Sequence, residues 1–335
     1  MYSRIRRAVT GSIVASALVL TACQQGSSPD PAPEMGNATP AASPESENPA
    51  GEVIAVGQPI TDLVAVGDVL AYRTEGALTI GTVDQLRNDE ATTVEIDPSC
   101  GDLNEGSADF VLACGDTVRI IPADSPADER VRQLEDPATT AALADNMLVV
   151  ANGEASNVTI YREDADPKTI RVEDATDQLI TVPRADGTES VVRTNRETTI
   201  IQNIELDKNR QGGTLRVGLG VGQIAPGADG LVIAADTMGP QIAVYGYEAA
   251  IRLQQTAPTE ASPWGAAWDP ARELAWVTST AENEAIGYRI ADGVPVETQR
   301  FPTLADAQNI RATTDGSVVV ASATGEGLQI VSPAE

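Results

Sequence analysis

The sequence contains no histidine. That absence removes the usual general base at neutral pH, the Ser-His-Asp relay built on it, and the most common metal ligand. Chemistry would fall to paired carboxylates or lysine, and no such constellation stands out. The expectation is therefore a protein that is not an enzyme, with no catalytic residue, no metal site and no cofactor. Aromatic residues are scarce, at 3%, and positive charge is thin: 22 Lys and Arg against 49 Asp and Glu give a formal net charge of −27. So acidic a body is repelled by nucleic-acid phosphates and by anionic lipid headgroups. Nucleic acid is thus not an expected partner, and any membrane affinity has to come from something other than charge. Long stretches of helical periodicity are also missing, and only three cysteines are present.

What is there begins with a charged and then greasy leader. Arg4, Arg6 and Arg7 precede an apolar, small-residue run from Ala8 to Leu20, too short for a comfortable membrane span. Leu20-Thr21-Ala22-Cys23 follows, and this phrase resembles the bacterial lipobox. The resemblance implies a signal peptide over residues 1–22, cleavage before Cys23, and a diacylglycerol on the Cys23 sulfur, with a further acyl chain on the new amino terminus. At about 0.8 kcal/mol per buried CH₂, two or three chains anchor a protein without a transmembrane helix. The alternative is a secreted protein cut near Ala22. Loss of the leader removes three arginines and no acids, making the mature chain still more acidic. From Gln24 to Ala50 the chain is rich in Pro, Ser, Ala and Glu and cannot bury enough apolar surface to offset the entropy of ordering. Residues 23–50 therefore read as a lipidated, disordered linker, a coil spanning roughly 30 Å.

Residues 51–335 repeat. Each unit has an acidic or turn residue, a short apolar run, a polar turn and a second run, as in ADNMLVVANGEASNVTIY from Ala144. Anchors at Asp68, Asp109, Asp145, Asp186, Asp229, Arg272 and Asp315 are spaced by 41, 36, 41, 43, 43 and 43 residues. A period near 40 with four short Val-, Ile- and Thr-rich strands per unit predicts an all-β fold, a seven-bladed β-propeller. In the sixth unit WGAAW is innermost, followed outward by ELAWVT, AIGYRI and VETQRF. The seventh unit supplies only AQNIRA, SVVVASA and GLQIVS before the chain ends. An open ring would leave a row of unpaired N–H and C=O groups. The spare strand Glu52-Val53-Ile54-Ala55-Val56 is expected to complete the last blade and close the ring.

With Cys23 committed to lipid, Cys100 and Cys114 form an even pair in an exported chain, which reads as a disulfide. They fall at the start of one strand and the end of its antiparallel neighbour in the second unit. A redox-active pair is the alternative, but the spacing is not Cys-x-x-Cys.

SPWGAAWDPARELAWVTST, in the sixth unit, resembles the seven-bladed YVTN and lactonase-like propellers, in which Pro, small residues and Asp-Pro precede a strand of this kind. With the lipobox, the chain is similar to the propeller lipoproteins of mycobacteria and corynebacteria, the LppL-like group. The resemblance implies an actinobacterial-type envelope and an extracytoplasmic, membrane-anchored ring, monomeric in itself, and no particular activity. Trp264, Trp268 and Trp276 all fall in this unit. Trp264 and Trp268 are candidates for a ligand or partner platform near the channel. Packing between blades is the favoured reading for all three, with Trp264 the most exposed. The glycine run in RVGLGVGQ, Arg216–Gln223, precedes a strand rather than a helix, so it reads as an interblade turn and not a phosphate cradle. Acidic runs at Asn88-Asp89-Glu90 and Glu163–Asp166 read as solvated loops.

The leading functional reading is a non-catalytic surface module that docks a protein of the envelope or of a membrane complex. The rival is a carbohydrate- or small-molecule-binding propeller or a lactonase-like hydrolase. Asp, Glu and Arg converging at one mouth of the channel, with a perturbed carboxylate among them, would favour the rival.

Overall fold

The computed structural model describes residues 35–291 and 293–332. The signal segment 1–22 and Cys23 lie outside the described residues. Seven sheets, one per sequence unit, form the all-β propeller that the repeat predicts. The inner strands are Asp62–Val66, Leu103–Glu105, Thr140–Ala144, Gln178–Pro183, Val221–Pro226, Pro263–Asp269 and Ala307–Ala312. In the second blade the run Asp109–Pro122 folds back on itself at Gly115, so that Ala123 N–H reaches Ala108 O at 3.0 Å; this single run supplies two antiparallel strands.

Strand composition follows position in the blade. Second strands such as Leu274–Ser279 and Val318–Ser322 are buried along their whole length because neighbouring blades cover both faces. They accordingly read as near-continuous apolar runs. Outer strands such as Ala165–Arg171 and Val296–Pro302 face solvent and carry the charges and prolines that blunt an exposed edge. Among the described residues each of the seven interblade seams has its own apolar cluster. Leu78, Phe110 and Leu112 sit between the first and second blades; Ile60, Leu63, Leu328 and Ile330 sit between the first and seventh.

The closing strand is where the missing fourth strand placed it. Glu52–Ile54 runs antiparallel to Leu328–Val331, with Glu52 opposite Ile330 and Ile54 opposite Leu328. Two glycines permit the close approach. Gly51 (φ 72°) and Gly327 (φ 117°) lie in the left-handed half of backbone space, and a Cβ would stand 2.1 Å from Ile330 O and 2.0 Å from Ile54 O respectively. The short helix Val83–Arg87, begun by a Thr82–Gln85 capping box, clamps the seam from the first blade. Its Arg87 Nε donates to Glu52 at 2.8 Å, and Nη2 donates to Ser332 Oγ at 3.4 Å.

One expectation changes. The segment read as disordered through residue 50 is, from Met35 on, laid over the ring as an extended strap. Gly36 N donates to Leu219 O (3.0 Å), Ala41 N to Ser262 Oγ (2.9 Å), and Ser46 Oγ to Thr303 O (2.6 Å). Ser43 and Asp306 bond twice, Ser43 N to the carboxylate and Asp306 N to the Ser43 hydroxyl. The physical reason is local: a chain without an apolar pattern can still be held by its own amides and hydroxyls when a ring of turns offers partners. The partners are turns that enter inner strands or join second to third strands, so the strap lies on the face where inner strands begin.

Candidate functional site

Inner strands line a central channel, and the two ends of the channel differ. Where inner strands end, a cavity of about 450 Å³ opens to solvent. Its wall is largely small and apolar, with Ala65, Pro183, Pro226, Ala267 and a half-buried Trp268, all in the last residues of inner strands. Its charged groups are Glu105, Glu189 and Arg311. Glu189 is held by the Ser107 hydroxyl and by Asp145 N (2.7 Å), so its carboxylate is fixed on the rim.

Deeper in, towards the strap face, lies a polar cavity of about 120 Å³. Arg311 lines both cavities, and its Nε donates to Glu105 Oε2 at 3.1 Å, so this ion pair stands where they meet. The polar cavity is built from residues at or near the starts of inner strands in five blades: Asp62, Asp102, Gln178, Gln223 and Asn309. Asp62 is paired with Arg73, whose Nη1 also donates to Cys100 O at 2.6 Å. Gln178 is held at both ends of its amide, donating to Gly222 O (3.1 Å) and accepting from Ile224 N (3.1 Å). Gln223 donates to Asn309, and Asn309 to Thr61 O, linking the fifth, seventh and first blades across the channel.

Asp102 and Arg196 are the two charged groups of this cavity without a settled ion-pair partner. Asp102 is held by its backbone, Asp102 N donating to Thr139 O at 2.8 Å. Burial, and after it the Asp62 carboxylate, push its carboxyl up to about 7, against the opposing pull of Arg196, Arg73 and the Thr140 hydroxyl. Arg196 lies over the Trp264 ring, 5.3 Å from its centroid, and its Nε is buried with no hydrogen-bond partner. The convergence of acids and arginines that would favour the small-molecule reading is therefore present, inside the channel rather than at its rim.

The pKa of Asp102 makes stability depend on pH. The folded state holds this proton more tightly than the unfolded chain, so the contribution is complete below about pH 4 and is lost as pH rises to about 7. Asp102→Asn is expected to stabilise the ring at pH 8 by on the order of 2 kcal/mol, less than the whole shift implies because cavity solvent screens the group, and to change little at pH 4. Urea titrations of both proteins at the two pH values check this; an equal difference at both would refute it.

The tryptophans separate. Trp264 is only 6% exposed, beneath Arg196, and not the most exposed of the three as the sequence suggested. Trp268 is the one that reaches open space, because it lies near the wide end of its strand, beyond a bulge between Pro263 and Ala266. Trp276 packs between blades, 5.3 Å from the Phe301 ring, with Nε1 donating to the buried Asp269 at 3.3 Å. Cys100 and Cys114 form a disulfide with Cα atoms 4.1 Å apart. The glycine run at 216–223 is an interblade turn wrapped on buried Asp236, whose Oδ1 accepts from Leu219 N and Gly220 N, each at 3.0 Å. Asp89, Glu90, Glu163 and Asp164 lie exposed in the connections between elements, and Asp166 is exposed at the start of the outer strand Ala165–Arg171.

No protein-family model matches the chain, and no curated protein sequence matches it. Among solved structures the ring is similar to a chain of the mitotic checkpoint complex (TM-score 0.68, 14% identity, covering 89% of this chain and 99% of that one). It is similar also to the β-propeller domain of Cps50 (Swd1) from Myceliophteria thermophila (0.66, 12%, 86% and 99%) and to a streptogramin B lyase (0.61, 12%, 85% and 97%). At such identities the likeness establishes the architecture alone: this chain folds as a seven-bladed β-propeller.

Proposed function

We propose that this protein is a lipid-anchored binding module of an actinobacterial-type cell envelope, akin to the propeller lipoproteins of the LppL-like group, which works by docking a segment of another envelope or membrane-complex protein. The observation that carries the reading is the wide mouth, with its cavity of about 450 Å³, small apolar walls and accessible Trp268. Aromatic anchors in partly enclosed pockets are where interface energy concentrates. With lipid on Cys23, the residues up to Met35 would span at most about 40 Å if fully extended, so the anchor would keep the ring within that distance of the membrane. Propellers of this shape include both an assembly member, in the mitotic checkpoint complex, and a lyase, so fold by itself favours neither docking nor chemistry.

The test is a gentle detergent pull-down on the full chain, with a photo-crosslinker placed at Trp268. A stoichiometric envelope partner is expected, and Trp268→Ala should weaken its capture by at least tenfold. Cys23→Ser should move the protein out of the membrane fraction. A protein that purifies alone, or a crosslink that finds nothing from the mouth, would overturn the docking reading. A Cys23 found free of lipid in the membrane fraction would overturn the anchor.

A further inference from the structure

The polar cavity between the strap face and the Arg311–Glu105 pair plays no part in docking at the wide mouth, and its groups are unevenly satisfied. We propose that it is a binding site for a small organic acid carrying a hydroxyl beside its carboxylate, in the size range of glycerate. The inference goes beyond the docking function and does not depend on it.

Three observations carry it. First, the cavity has a volume of about 120 Å³, room for a molecule of a few heavy atoms. Second, its donors and acceptors are complementary to that chemistry. None of the Arg196 guanidinium nitrogens makes a hydrogen bond among the described residues, and Nε is buried without one. A buried, unpaired Nε–H costs free energy unless an acceptor meets it, and a carboxylate can meet it together with a second guanidinium nitrogen. Asn104 donates its amide nitrogen to Thr140 Oγ1 (3.2 Å) and Ala141 O (2.9 Å), and Gln223 donates its own to Asn309 Oδ1 (3.1 Å). Both residues line the cavity, and their amide oxygens are left without a donor among the described residues, so a ligand hydroxyl there can supply one. Third, the charge balance selects an anion. Asp62 is paired with Arg73 and Glu105 with Arg311, which leaves Arg196 beside Asp102. With the Asp102 carboxyl held up to about 7, near neutral pH the site carries net positive charge inside a strongly acidic chain. Trp264 under the guanidinium fixes the plane in which the ligand carboxylate is met.

Isothermal calorimetry at pH 6.5 on the intact folded protein tests this, with glycerate as the probe and glycerol as its neutral counterpart. Glycerate is expected to bind at least tenfold more tightly than glycerol, since the difference is one charge-assisted carboxylate contact. Arg196→Gln should abolish that preference, and Arg196→Lys, which keeps the charge, should retain part of it. Thermal denaturation midpoints of both variants close to that of the parent show that the ring is intact, without reference to docking at Trp268. Equal affinity for glycerate and glycerol, no heat from either at millimolar concentration, or full glycerate affinity in Arg196→Gln would each overturn the proposal.

Discussion

A chain that begins after Val56 is expected not to close its ring. The truncation removes the outer strand paired with Leu328–Val331, whose other edge stays paired with Val318–Ser322, and with it the half-buried Ile54 and Val56 that cover the seam between the first and seventh blades. Leu328 and Ile330, now fully buried, would form an exposed apolar edge. The buried Gln329 would lose the Ala50 carbonyl to which its Nε2 donates at 2.8 Å. Lost side-chain burial and lost pairing together amount to on the order of 5 kcal/mol, comparable with the whole stability of many domains. The truncated chain should therefore aggregate or populate an open, protease-sensitive state. The register supplies a rescue. Because Glu52 stands opposite Ile330, residues 51–56 placed after Val331 through a two-residue turn would put Gly51 opposite Val331 and re-enter as a hairpin in the same pairing. Thermal denaturation should show the permuted chain near the parent and the truncated chain far below it. A truncated ring as stable as the parent would show that closure does not hold the fold together.

That strand was legible in the sequence for a physical reason. Blades bury alternate faces against neighbours, so each unit must repeat its apolar runs at the same phase, and a unit one run short announces that the run comes from elsewhere. The same logic set Cys100 beside Cys114, as the disulfide shows, although Cys100 stands three residues ahead of the inner strand Leu103–Glu105 and not at its start. The strap was not legible: Ser43 and Ser46 hold it through hydroxyl bonds to Thr280 O and Thr303 O, and such contacts leave no periodicity in a Pro- and Ser-rich stretch. Nor was the polar cavity, whose residues are far apart in the chain. A signal existed, however. Asp62, Asp102, Gln178, Gln223 and Asn309 recur at or near the starts of inner strands, so repeats aligned on their inner strands would show a polar position where a channel begins. Trp264 and Trp268 were indistinguishable for a different reason: four residues apart on one strand, they end up under an arginine and at an open mouth because of a bulge, which composition does not show.

Reduction of the disulfide should weaken both the second blade and the polar cavity, and the two effects have one cause. The inner strand of this blade, Leu103–Glu105, is only three residues long and pairs with Phe110–Leu112. Little holds the chain that enters it: Gly101 N donates to Ala113 O (2.7 Å), Asp102 N to Thr139 O (2.8 Å), and the Cys100–Cys114 bond pins the segment to the neighbouring strand. Opening a loop with a sequence separation of 14 restores unfolded-chain entropy worth about 3 kcal/mol. The segment so released carries Asp102 into the cavity and presents Cys100 O to Arg73, the cation that pairs with Asp62. A reduced protein, or the Cys100→Ser, Cys114→Ser double variant, should thus unfold at lower urea concentration and lose most of the pH dependence that Asp102 confers between pH 4 and 7. Stability curves of oxidised and reduced protein across that range measure both. A uniform loss with the pH dependence intact would mean that the bond braces the blade without positioning Asp102.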